Sequence, residues 1–160
     1  MDGRIRWSLG SRRRTSPGTQ RHRGGVRTPE LRRHPVILDT NALSAWAEGQ
    51  PAVETALRSA DRLVVPSVVL GEYYFGIRQS RHRARYQEWL RRYLPLAEVA
   101  TITSATADAY ADIRLQLKRM GKPIPSNDTW IAALARQHAL AVMSNDTHFD
   151  LIDGIERIAF

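Results

Sequence analysis

A chain of 160 residues, 42% hydrophobic and 25% charged, holds material for one domain with a substantial core and too little for two, and no apolar run approaches the ~20 residues of a membrane span. With no cysteine, disulfides, thiol nucleophiles and sulfur-built zinc sites are excluded; the composition fits a reducing cytoplasm and leaves oxygen and imidazole as ligands for any metal. The net charge of +8 sits at one end, because residues 1–34 carry ten arginines against Asp2 and Glu30 while the remainder balances 14 basic with 14 acidic groups, so basicity says nothing about whether the folded body binds nucleic acid.

Residues 1–34 are rich in Arg, Gly, Ser and Thr, with scattered apolar positions (Ile5, Trp7, Leu9, Val26, Leu31) and no sustained period. They are expected to form a basic, disordered extension. A start placed too far upstream is favoured as its origin, with the natural chain beginning between about Val26 and Pro35; a flexible RNA-attracting arm is the alternative. No apolar run in it has the length of a secretory h-region.

From residue 35 short apolar runs alternate with helical stretches. Pro35–Leu38, Leu63–Val65 and Leu140–Met143 read as strands buried on both faces, with Leu96–Ala100 and Arg157–Phe160 as weaker ones. Helices are expected over 42–48, 51–59, 67–79, 83–94, 104–120 and 127–138, with Pro51 opening one and Gly121 followed by Pro123 closing another. Strands alternating with helices imply parallel crossovers and an α/β fold.

Four acids fall at element ends. Asp39 follows the first strand, where doubly wound sheets bind ligands, although Asp there also serves as a helix cap. Glu72 lies about one turn into a helix that Ser67 can cap, and shares a face with Val68 and Gly76; an ion pair with Arg78 or Arg114 is the structural alternative. Asp128 begins a helix, where the dipole favours an acid, and Asp146 follows the strand ending at Met143, where a turn residue is equally at home. Each has a plain structural reading, but all four converge on one edge of the sheet. Such a cluster repels itself unless a cation neutralises it, and oxygen ligands without cysteine or paired histidines point to Mg²⁺ or Mn²⁺. That chemistry suits phosphodiester hydrolysis by activated water.

The arrangement resembles the PIN-domain ribonucleases, and specifically VapC-type toxins, over residues 35–160. The resemblance rests on Asp39-Thr40-Asn41 after the first strand, Glu72 with Gly76 on a helix, Asp128-Thr-Trp-Ile131-Ala-Ala133 after a long helix, and Ser144-Asn145-Asp146 with Phe149 behind it. It implies a PIN-like three-layer sandwich with a parallel sheet of about five strands flanked by helices. It further implies Mg²⁺-dependent endoribonuclease activity (Mn²⁺ substituting), homodimerisation, and inhibition by a cognate antitoxin. By position, Asp39, Asp128 and Asp146 correspond to metal ligands, Glu72 either ligates or orients water, and Thr40, Asn41 and Ser144 hold the carboxylates in place.

Other features have competing explanations. The stretch from Arg81 to Tyr93 sets Tyr86, Trp89, Leu90 and Tyr93 on one helical face, as an RNA-guiding ridge or as an amphipathic helix with buried aromatics, the second being favoured. Tyr73, Tyr74 and Phe75 are read as core before partner groove. His148, two residues from Asp146, is read as a lone surface histidine before a ligand or proton shuttle. Against the nuclease stand a non-catalytic PIN-like module that binds RNA or a partner, an aspartate-based phosphatase, and a DNA nuclease. The phosphatase requires a second acid where Asn41 stands.

Overall fold

The computed structural model describes residues 34–160, so the expected basic extension lies outside the described residues except for His34. The elements run β1 (His34–Leu38), α1 (Thr40–Ala47), α2 (Pro51–Arg58), β2 (Ala60–Pro66), α3 (Ser67–Gln79), α4 (Arg83–Tyr93), β3 (Glu98–Ala100), α5 (Ser104–Met120), α6 (Ser126–His138), β4 (Ala141–Met143) and β5 (Arg157–Ile158), with 3₁₀ turns at Leu94–Leu96 and Thr147–Leu151. All five strands are parallel, in the order β3-β2-β1-β4-β5.

Burial explains the strand signals. Val36, Ile37, Leu38, Val64, Val65, Val142 and Met143 are at most 1% exposed, as central parallel strands covered on both faces should be. On these strands β-branched residues are well placed, because the pleated surface suits their restricted rotamers. The order also locates the site: the chain leaves β1 toward β2 and β3, then returns to β1's other side with β4. The switch point therefore lies between the C-terminal ends of β1 and β4, where open α/β sheets bind ligands. At that edge Asp39 N donates to Met143 O at 3.2 Å, tying the two strand ends together.

Helix ends follow local chemistry. Pro51 stands in the first turn of α2, and α5 stops at Gly121 in the left-handed conformation (φ 65). A capping box between Thr103 and Thr106 starts α5, and Thr106 also donates to Gln137 of α6, joining the two helices. The expected cap at Ser67 is not formed: Pro66 occupies the cap position of α3 with no side-chain hydrogen bond, since the helix begins directly from the end of β2.

The aromatic face of α4 packs inward. Trp89 meets Trp46 edge-on at 5.0 Å between ring centroids and stacks on Tyr93 at 5.1 Å, which bears out the amphipathic-helix reading of this stretch over the RNA ridge. Tyr73 is buried as expected, whereas Tyr74 and Phe75 are exposed at 39% and 66%, contrary to a core assignment: α3 presents only one face to the interior. Among the described residues, no helix is long and apolar enough to cross a membrane.

Candidate metal and nuclease site

Asp39 caps α1 and also belongs to the site. Its Oδ1 accepts from the backbone N–H of Thr40 at 2.5 Å, while Oδ2 accepts from Asn41 Nδ2 at 2.6 Å and from Ser144 Oγ at 2.7 Å. Cap and ligand are thus compatible, because a carboxylate has more lone pairs than a cap consumes. The group is only 5% exposed. Burial pushes its pKa above the usual carboxylate value, the bonds from Ser144 and Thr40 pull it down, and the charges of Asp128 and Asp146 raise it again.

Glu72 is held from two sides. Thr40 Oγ1 donates to its Oε2 and Asn127 Nδ2 to its Oε1, joining α1, α3 and the first turn of α6. The ion pair with Arg78 or Arg114 is not formed; the Arg114 guanidinium instead donates to Tyr110 Oη at 3.1 Å.

Asp128 stands in the first turn of α6, where free backbone N–H groups favour an acid. Burial raises its pKa first; the bond from His148 lowers it, and Asp146 and Glu72 raise it further. Asp146 caps the 3₁₀ turn after β4, with its Oδ1 accepting from His148 N at 2.9 Å and its own N–H donating to Ser144 Oγ at 2.9 Å.

The structure therefore brings all four expected acids to one place. Asp39 and Asp128 each feel Asp146, and Asp128 feels Glu72. Thr40, Asn41 and Ser144 bond to these carboxylates: Thr40 to Glu72 and Asp39, Asn41 and Ser144 to Asp39. Among the described residues, no Lys or Arg forms an ion pair with any of the four.

Two neighbours of the acids, Asn127 and Asn145, were given no role by the sequence reading, and a third, His148, was weighed as a ligand but favoured as a lone surface residue. Asn127 grips Glu72. Asn145 donates its backbone N–H to Asn41 Oδ1 at 3.3 Å, bracing the residue that steadies Asp39. His148 is not the lone surface histidine expected: its Nδ1 lies 3.1 Å from Asp128 Oδ2 and 3.1 Å from Asp146 Oδ1. Its proximity to Asp146 in the chain was the available signal; its approach to Asp128 depends on how α6 packs beside the turn.

The donor set fits a hard divalent cation. Asp39 and Asp128 are pushed toward the protonated form by burial and by the charges of the other acids, and among the described residues only Arg157, which feels Asp146 without forming an ion pair with it, offers a nearby guanidinium. Atoms of Asp128, Asp146 and His148 lie within 4.8 Å of one another, close enough to share one ion.

Comparison with known proteins identifies the family. The PIN-domain family model matches residues 36–155. Ribonuclease VapC5 of Mycobacterium tuberculosis is 28% identical over 120 residues, covering 74% of this chain and 87% of that protein. Toxin FitB of Neisseria gonorrhoeae is 30% identical over 123 residues, covering 70% and 88%. Among solved structures, VapBC-5 of M. tuberculosis, a member of the VapBC family of toxin–antitoxin systems, superposes with a TM-score of 0.67 at 28% identity, covering 79% of this chain and 99% of that one.

Proposed function

This chain belongs to the PIN-domain family and, within it, to the VapC-type ribonuclease toxins of VapBC systems, and from that membership we propose that it hydrolyses RNA phosphodiester bonds with Mg²⁺ at the cluster of Asp39, Glu72, Asp128 and Asp146. The observation that carries the assignment to these residues is the convergence of four acids from four separate segments at the switch point of the sheet, none of them in an ion pair with a Lys or Arg among the described residues. Caps and a first-turn acid explain Asp39, Asp146 and Asp128 singly, but their crowding opposes folding because like charges repel.

Asp39, Asp128 and Asp146 would hold the ion, with Glu72 either joining them or orienting the attacking water. A divalent ion bound there activates water and stabilises charge at the leaving oxygen. The protein's contribution is preorganisation. Ser144, Asn41 and the Thr40 N–H fix both oxygens of Asp39, and Thr40 and Asn127 fix those of Glu72, so the acceptors need no rearrangement when substrate arrives. Removal of any one donor loosens the carboxylate it holds.

The solved complexes of its relatives support a cognate antitoxin as partner, and the VapC-type pattern supports a homodimer acting in the cytoplasm. The test is cleavage of a mixed structured-RNA pool by the full chain with Mg²⁺, with Mn²⁺ and with EDTA, beside Asp39→Asn. Metal-dependent cutting that leaves 5′-phosphate and 3′-hydroxyl ends and disappears in the variant is expected. Cutting in EDTA, or in a folded Asp39→Asn, would overturn the mechanism. A wild type that binds RNA and cuts none under any metal would place the chain with non-catalytic PIN-like modules.

A further inference from the structure

We propose that His148 is a direct ligand of the divalent ion through Nδ1, making the site a mixed oxygen and nitrogen one that prefers first-row transition ions to Mg²⁺. The inference rests on reading the acid cluster as a metal site, and goes beyond it by adding a ligand of different chemistry.

The spacing carries the case. His148 Nδ1 lies 3.1 Å from a carboxylate oxygen of Asp128 and 3.1 Å from one of Asp146. Neighbouring ligands of an octahedral ion bound at ~2.1 Å sit ~3.0 Å apart, so these two separations match edges of a coordination polyhedron. A hydrogen bond accounts for only one of them, the contact with Asp128. Nδ1 carries at most one hydrogen, and one N–H cannot point at two acceptors from different elements with good geometry.

The local fold holds the ring in this position. Asp146 accepts the His148 backbone N–H at 2.9 Å, which closes the 3₁₀ turn, and the next residue, Phe149, is fully buried in the core. With the backbone pinned on both sides, the imidazole stands between the first turn of α6 and the end of β4, its side chain 41% exposed and therefore open to an ion arriving from solvent.

Imidazole is a softer donor than carboxylate, so it strengthens binding of Co²⁺ and Ni²⁺ far more than of Mg²⁺, in keeping with the order of first-row affinities. A site of oxygens alone has that preference only in weaker form.

The experiment uses the purified full chain loaded with Mn²⁺, whose paramagnetism reports nitrogen ligands through ¹⁴N modulation of the electron spin echo. Titration calorimetry with Mg²⁺ and Co²⁺ accompanies it, on wild type, His148→Ala and His148→Gln. Expected are a directly bonded ¹⁴N coupling in the wild type that vanishes in both variants, and a loss of Co²⁺ affinity on the order of tenfold with Mg²⁺ affinity little changed. Mn²⁺ bound without that coupling, or a coupling that survives His148→Ala, would overturn the ligand role while leaving the acid site intact. A wild type that binds none of these ions would overturn both readings together.

Discussion

Ser144 Oγ donates to Asp39 Oδ2 across 2.7 Å although 105 residues separate them, and the same oxygen accepts from Asp146 N–H at 2.9 Å and from Asn41 Nδ2 at 3.0 Å. One fully buried hydroxyl thus joins the segments after β1 and β4. Removing it as Ser144→Ala leaves two donors and one carboxylate oxygen short of a partner. The expected result is ~1–3 kcal/mol less stability in chemical denaturation and a ~10–100-fold loss of metal affinity or cleavage rate. Wild-type metal affinity in Ser144→Ala would count against its positioning role.

Glu72 offers a second probe. In Glu72→Gln the amide NH₂ must face Thr40 Oγ1 or Asn127 Nδ2, both of which donate to the acid in the wild type. Cleavage should fall by ~100-fold or more, beyond what a single neutral hydrogen bond supplies. Asn127→Ala, which keeps the acid and removes one support, should lose ~10-fold. Steady-state kinetics on one RNA would rank the two; equal losses would mean that Glu72 acts only through its placement.

The raised carboxylates make metal-free stability depend on pH in a definite direction. Burial first, then like charge, raises the pKa of Asp128 in the folded protein above its ordinary value. A group raised in this way contributes stability that is present below its unfolded pKa and lost as pH rises through its folded one. Asp128→Asn should therefore melt higher than wild type near pH 7 in EDTA, with the difference shrinking as pH falls toward the ordinary carboxylate range. Added metal should reverse the order near neutrality, because only the wild type gains from binding. A metal-free Asp128→Asn that melts lower than wild type at pH 7 would refute this.

Tyr73 gives a test away from the acids. Its hydroxyl is buried with no hydrogen-bond partner among the described residues, and burial, with Tyr86 and Glu48 nearby, pushes its pKa up to about 12. Tyr73→Phe removes a desolvated group while keeping the ring that packs toward Trp89. Stability should be unchanged or rise by up to ~1 kcal/mol, read from urea denaturation. A loss of more than that would reveal a partner for the hydroxyl.

Much of this molecule was legible in its sequence, for identifiable reasons. Parallel strands buried on both faces read as unbroken apolar runs, so β1, β2 and β4 stood out, whereas β5 is two half-buried residues, Arg157 and Ile158, with little pattern to read. The four acids were visible because strand ends and helix starts mark the switch point of such a sheet. Asn127 was not, since it meets Glu72 across 55 residues only through packing, and for His148 the nearness of Asp146 was readable while its contact with Asp128, 20 residues away, was not. The 3₁₀ turn that aims His148 is shaped by the Asp146 side chain and by the burial of Phe149, neither of which leaves a periodic trace.

The tether from Asn145 to both Asn41 and the backbone of Phe160 sets a temporal order on competence. While the chain is being synthesised, Asp39, Glu72 and Asp128 are all made before β4, the turn beyond it and β5 exist, and until those last segments dock the acids lack Asp146, the Ser144 hydroxyl and the brace on Asn41. On the reading proposed above, the acid cluster is complete only once β4 and the turn beyond it have closed against β1 and β5 has paired with β4.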